Sequence, residues 1–258
     1  MSLASEERKK RVLEMLVIQG KVQVNELAHK FEVTTETIRR DLDDLEKDGK
    51  LKKVYGGAVK VQTDFEPAYH EREVIHAEEK RKIGMLAANL IENDDVIVID
   101  EGSTAMQILH HLADKRNLTI LVCSIPTLIL LIDYQKRGLF DGRMIFIGGE
   151  VNSKHMRVSG PIAEKVMEDF YVHKSFLSVD GVSLENGITS YDFERALFTR
   201  KLIRCSETSI VVADSSKIGK RTVAKIAELT DIQCIVSNHE PPAGWRGSLE
   251  EMGVSWLS

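Results

Sequence analysis

The sequence predicts an α/β chain in two parts: a small head of three short helices and a β-hairpin, then a larger domain of alternating strands and helices. Within residues 1–60, apolar residues recur at the helical period of 3.6, and the segment closes on a short alternating run ending in Gly56-Gly57. From Val96 onward, six runs rich in β-branched residues alternate with helical segments. Charge divides the same way. Residues 1–60 hold 13 Lys+Arg and 11 Asp+Glu, a net of +2, in a chain of net −5, so the remainder carries −7.

In the head, Val12, Leu13 and Leu16 share one face of a first helix expected to start near Glu6 and end at Gly20. Leu27, Ala28 and Phe31 mark a second, short helix. Val33-Thr34 then turns into a third, with Thr34 as N-cap and Glu36 as a first-turn acid. Ile38, Leu42 and Leu45 form its apolar stripe at i, i+4 and i+7, while Arg39 and Arg40 face outward. Asp41 falls close to the stripe and is expected to be paired or capping. By itself this helix also reads as a solvated one laced with charge pairs. The context decides: a turn of a few residues between the second and third helices is helix-turn-helix spacing. After Asp48-Gly49-Lys50, the run Leu51 to Tyr55 reads as a wing whose lysines reach a phosphate row. Planar guanidinium forks suit phosphates and guanine edges, so the expected partner is double-stranded DNA. The expected contacts are Thr35, Thr37, Arg39, Arg40, Lys52, Lys53 and Tyr55.

Residues 61–79 are expected to connect the head to a domain spanning 80–258, beginning with a helix whose Ile83, Leu86, Ala87 and Leu90 pack on a sheet. The strand-like runs are 96–100, 118–123, 143–147, 174–179, 209–213 and 234–237, with helices such as 105–112 and 162–170 between them. Apolar on both faces, they predict a largely parallel sheet, and such sheets bind ligands at the carboxyl ends of their strands. Those ends carry small or polar residues: Asp100 with Gly102-Ser103-Thr104, Ser124, Gly148-Gly149, Asp180-Gly181, and Asp214 to Lys217. One such turn has a purely steric explanation. Five converging ends, one with a lysine, favour a phosphorylated polyol.

Composition is ordinary for a globular chain, with 43% hydrophobic and 29% charged residues. The three cysteines make no CxxC and are expected to be reduced, buried and cytoplasmic. No apolar run of membrane-spanning length and no signal peptide is read. Eight histidines lack ligand spacing, so no metal and no cofactor is expected. The phosphate-loop lysine motif, the dinucleotide glycine fingerprint and HExxH are absent.

The run TIRRDL followed by GGA resembles the DeoR family of bacterial transcriptional regulators, and later motifs extend the resemblance over nearly the whole chain. DEGST is similar to the family's D-x-G-T-T phosphate loop, and IGGE, VDGV and DSSKIG to its other blocks. The resemblance implies a winged helix-turn-helix head and a sensor domain similar in fold to ribose-5-phosphate isomerase. It implies a repressor of a sugar-catabolic operon, released from its operator by a sugar phosphate. It also implies that Asp180, Glu194 and Lys217 line the sugar end. Tyr55 stands where the family more often has histidine, and Cys123-Ser124 where it commonly has Asn-Ser. A single small reading head implies a homo-oligomer, dimer or tetramer. The alternative is not a regulator but an isomerase-like enzyme with a nucleic-acid-binding appendage.

Overall fold

A computed structural model describes residues 3–59 and 66–258. Residues 60–65, the end of the expected head and the start of the expected connection, lie outside the described residues. The chain forms two compact units, Met1–His76 and Ala77–Ser258.

In the first unit, α1 (Leu3–Gln19), β1 (Lys21–Gln23), α2 (Val24–Lys30) and α3 (Thr35–Lys47) precede a hairpin of β2 (Lys52–Val54) and β3 (Gly57–Val59), then α4 (Tyr69–Val74). The apolar stripes meet in one core of Val12, Leu16, Leu27, Ile38, Leu42 and Leu45. Thr34 caps α3 as its sequence requires, its hydroxyl accepting from the Thr37 N–H at 3.2 Å. Asp41 is buried, and Arg8 reaches across from α1 to it at 2.5 Å. The hairpin turns on Tyr55-Gly56, with Gly56 at φ +76, where glycine alone is unstrained. β3 also pairs with β1, completing a three-stranded wing.

The second unit opens on α5 (Ala77–Ala88), followed by β4 (Val96–Ile99), a 3-10 helix (Ala105–His111), β5 (Thr119–Val122), α6 (Ile125–Lys136) and β6 (Arg143–Phe146). A hairpin of β7 (Glu150–Asn152) and β8 (Arg157–Ser159), α7 (Gly160–Met167), β9 (Val172–Ser178), β10 (Gly181–Ser183), β11 (Gly187–Ser190) and α8 (Phe193–Arg204) continue it. The unit closes with β12 (Ser206–Val212), β13 (Ala224–Ala227), β14 (Cys234–Val236), α9 (Trp245–Glu251) and β15 (Ser255–Leu257). Seven strands form one sheet in the order β15-β14-β12-β9-β4-β5-β6, every neighbouring pair parallel. The chain runs outward from β4 to β6, then returns to the other side of β4 with β9. The junction of β4 and β9 is therefore the switch point of the sheet, where open α/β folds leave a crevice.

Several expectations change. The run 143–147 is not buried on both faces: β6 is an edge strand, with no strand paired beyond it among the described residues, and Phe146 is exposed. The expected helix 105–112 is a tighter 3-10 helix. The antiparallel sheet β10-β11-β13 and the β7-β8 hairpin are additional. The three cysteines are free and buried.

The wing supplies a test of the first unit. A Cβ on Gly57 would lie 1.9 Å from the Val22 carbonyl oxygen, a backbone atom that cannot turn away. Gly57→Ala is expected to destabilise the first unit by about 1–3 kcal/mol, read by calorimetry as a lowered transition for that unit beside an unchanged one for the second. An unchanged first transition would contradict the packing.

Candidate functional site

On the first unit, α3 presents Arg39 and Arg40 to solvent, and among the described residues their ion pairs are long contacts to Glu36 of 3.8 and 3.6 Å. Such exposed pairs contribute little and yield readily to a phosphate. Thr35 and Thr37 are half-buried at the start of the helix, and Thr37 is engaged with the Thr34 cap. Lys52 is exposed on the wing, and Tyr55 stands fully exposed at its tip. Lys53, the other expected wing contact, is also engaged within the head. Its ammonium bonds Asp43, which raises its pKa, and its N–H donates to Glu46 at 2.6 Å. It fastens the wing to α3. Asn25, Arg39, Lys53 and Tyr55 border the groove between them.

On the second unit, the buried charges gather at the switch point. Asp100 follows β4, fully buried, with one carboxylate oxygen accepting from the Ser178 N–H at 3.1 Å. Burial pushes the Asp100 carboxyl up to about 6, against the opposing pull of Arg195. Glu101, also buried, is shared by two buried arginines: Arg157 Nη1 at 3.0 Å and Arg195 Nε at 2.5 Å. Arg157 continues to Asp192 at 2.8 Å. Arg195 donates to Asp180 at 2.8 Å and to the Ser178 carbonyl at 2.7 Å. Lys217, partly exposed after β12, comes within 3.8 Å of the other Asp180 oxygen. The ends of β4, β9 and β12 thus share one charge network. β5 joins it through the backbone bridge between Ser124 and Arg157.

The individual expectations fare differently. A Cβ on Gly102 would lie 1.8 Å from Ser178 Oγ, so glycine is required there by the close approach of β9 to β4. Ser103 and Thr104 are buried beside it, and Ser103 Oγ accepts from Lys80 at 3.1 Å. Ser124 is buried as the N-cap of α6, accepting from the Thr127 N–H at 3.4 Å. Gly149 packs against the Ser159 carbonyl and Ala163, and Gly148 is exposed; neither touches the network. Glu194 is exposed on the first turn of α8, and the inward position belongs to its neighbour Arg195. Cys123 lies wholly in the core, with its thiol pKa driven up by burial.

Sequence reasoning missed Glu101, Arg157, Asp192, Arg195, Ser178 and Lys80. A signal existed for two of them. Arg195 precedes Thr199 and Leu202 at i, i+4 and i+7, and Lys80 precedes Ile83, Gly84 and Ala87; each is a cation where the buried stripe calls for an apolar residue. Among the described residues no cluster of metal-ligating side chains occurs, and no helix is long and apolar enough to cross a membrane.

The pattern of the DeoR-like helix-turn-helix domain matches residues 8–64, and that of the DeoR C terminal sensor domain residues 75–239. The chain is 34% identical over 233 residues to the uncharacterized HTH-type transcriptional regulator YulB of Bacillus subtilis (strain 168), covering 90% of this chain and 88% of that one. It is 29% identical to the HTH-type transcriptional repressor GlcR of the same organism, covering 98% and 95%. It is 25% identical to the glycerol-3-phosphate regulon repressor of Escherichia coli (strain K12), covering 92% of each. A solved D-ribose-5-phosphate isomerase in complex with phospho-erythronic acid aligns over 55% of this chain and 54% of its own, at 15% identity and a TM-score of 0.41.

The raised Asp100 carboxyl has a measurable sign. Its folded pKa of about 6 lies above the ordinary aspartate value of 3.8, so the native state binds the extra proton between those values. That contribution to stability is fully present below about pH 4 and is lost as pH rises through about 6. Asp100→Asn removes it. Urea unfolding at pH 5 and 7.5 is expected to show the variant gaining on the wild type by about 1–3 kcal/mol over that interval. A pH-independent difference would contradict the shift.

Proposed function

The chain belongs to the DeoR family of transcriptional regulators, and from that premise we propose that it represses a sugar-catabolic operon and leaves its operator when a phosphorylated sugar binds. Its relatives are transcriptional regulators, not enzymes, which disposes of the isomerase-like alternative. The helix-turn-helix head binds DNA and the sensor domain takes a small effector. The observation that carries the finer reading is the charge network at the β4-β9 switch point, where strand ends from both halves of the sheet supply cations, carboxylates and hydroxyls together.

In this reading Arg39 and Arg40 enter the major groove, and Lys52 and Tyr55 lie along the backbone. The turn 102–104 holds the phosphate, and Asp180 and Lys217 bond the sugar. Only an effector with different affinities for the operator-bound and free states shifts the balance between them. One relative is named for the glycerol-3-phosphate regulon, which agrees with a phosphorylated ligand. Gel shifts on the gene's own promoter test the reading. Arg40→Ala is expected to cost about 1–3 kcal/mol of operator affinity, with sugar phosphates releasing the wild type and the free sugars failing to. Undiminished binding by an Arg39→Ala, Arg40→Ala double variant would sink the DNA assignment. Equal release by a free sugar and its phosphate would sink the effector assignment.

A homo-oligomer follows from the single reading head. On α6, Ile129 and Ile132 are exposed and Ile125 and Leu128 half-exposed, a stripe without charge on a helix that buries only Thr127 and Leu131. A second copy of the same stripe is the occupant that suits it. Ile129→Glu with Ile132→Glu is expected to lower the sedimentation coefficient at micromolar concentration. No change would remove α6 from the interface.

A further inference from the structure

We infer that Glu36, in the opening turn of α3, reads a cytosine in the operator and so sets which sequence the head accepts. This rests on the reading above in which α3 enters the major groove. The acids of α3 are Glu36, Asp41, Asp43, Asp44 and Glu46. The last four are engaged by groups outside the helix: Arg8 on Asp41, the Lys53 ammonium on Asp43, Lys9 on Asp44 and the Lys53 N–H on Glu46. Glu36 is different. Among the described residues its ion pairs are with Arg39 and Arg40 of its own helix, at 3.8 and 3.6 Å, beyond hydrogen-bond reach. Its carboxylate therefore keeps acceptor sites open, and the two guanidinium groups keep their donors.

Its place on the helix points the same way. Thr35 and Thr37 are half-buried and Ile38 is buried, so Glu36 is the exposed side chain of the opening turn. Thr37 is also engaged by the Thr34 cap. At about 100° per residue, Arg39 lies about 60° to one side of Glu36 and Arg40 about 40° to the other. The N-terminal residues of a recognition helix are the ones that reach base edges. A first-turn acid also favours the helix dipole, but an acid at position 35 or 37 does that without facing a polyanion. Toward phosphates this carboxylate is repulsive, so it supplies no general affinity for DNA. A carboxylate only accepts, so the base edges that suit it are the amino groups, cytosine N4 and adenine N6. Adenine N6 is flanked by acceptors on both sides, its own N7 and thymine O4, and cytosine N4 by one, guanine O6. Cytosine is therefore the favoured partner, and the guanine edge beside it suits Arg39 or Arg40. Against other bases the carboxylate stands among acceptors, which rejects the wrong sequence.

Selection from a pool of random-sequence DNA duplexes by the full chain tests this. The wild type is expected to recover a motif with a fixed cytosine. Glu36→Gln, whose amide pairs with adenine N6 and N7, is expected to change that one position to adenine and keep the rest. Glu36→Ala is expected to leave it degenerate. Titration of the selected duplex against its single-base variants is expected to show cytosine favoured by about 5- to 100-fold in the wild type. That preference is expected to vanish in Glu36→Ala, with a gain in affinity for random duplex. A role confined to the helix end would weaken all sequences alike and leave the motif as it was. The wild-type motif recovered by both variants therefore overturns the assignment. If the Arg39→Ala, Arg40→Ala double variant loses binding in that case, the reading of α3 as the recognition helix stands and only the role of Glu36 falls. If the double variant binds as the wild type does, both fall.

Discussion

One carboxylate oxygen, Glu101 Oε1, lies buried between two buried guanidinium groups, and much of the sensor is arranged to make that tolerable. A buried ion pair adds little net stability, because desolvation offsets most of the attraction, but breaking one is costly. The network therefore acts as a positional constraint more than as a source of stability. Arg157 draws the β7-β8 hairpin toward the end of β4, and Arg195 fixes the start of α8 against the end of β9. Asp180, Asp192 and Asp100 complete the compensation, and Asp100, the most deeply buried, holds its proton more tightly than an ordinary carboxyl. The parallel sheet brings these groups together because its switch point sets the ends of β4 and β9 side by side. Gly102 is the steric consequence, since no side chain fits between those strands.

The head applies the same logic nearer the surface. Four acids of α3 serve structure: Asp41 holds Arg8, Asp44 holds Lys9, and Asp43 with Glu46 holds Lys53 of the wing. Among the described residues, Arg39 and Arg40 are left to pair with Glu36, across more than 3.5 Å. Only Asp41 among these acids is buried, but all four are engaged by structural cations, and the cations suited to phosphate stand in solvent. This division lets a head of net charge only +2 offer a basic surface.

Much of this was legible in the sequence because it rests on periodicity. The stripe of α3, its Thr34 cap and the β-branched runs of β4, β5, β9, β12 and β14 obey local rules that need no partner. Asp41 was legible for the same reason, as a charge out of phase with a solvated face. The antiparallel β10-β11-β13 sheet was not, since its strands are three or four residues long and mixed in polarity. The network was illegible because its members are far apart in sequence: Glu101 and Arg157 read as ordinary surface charge until the fold brings them together, and Arg195 left only its place in the buried stripe of α8 as a signal. Of the pair Gly148-Gly149, Gly149 packs against α7 at Ala163 and Gly148 is exposed, a difference that the sequence does not reveal.

Hydrogen exchange of the full chain, with and without a sugar phosphate that dissociates the operator complex, tests the central claim most directly. If the switch point is the effector site, added protection is concentrated in residues 101–106, 178–181 and 214–218, the carboxyl ends of β4, β9 and β12. Protection confined to the opposite ends of the strands, or to segments that touch none of the three, would contradict it.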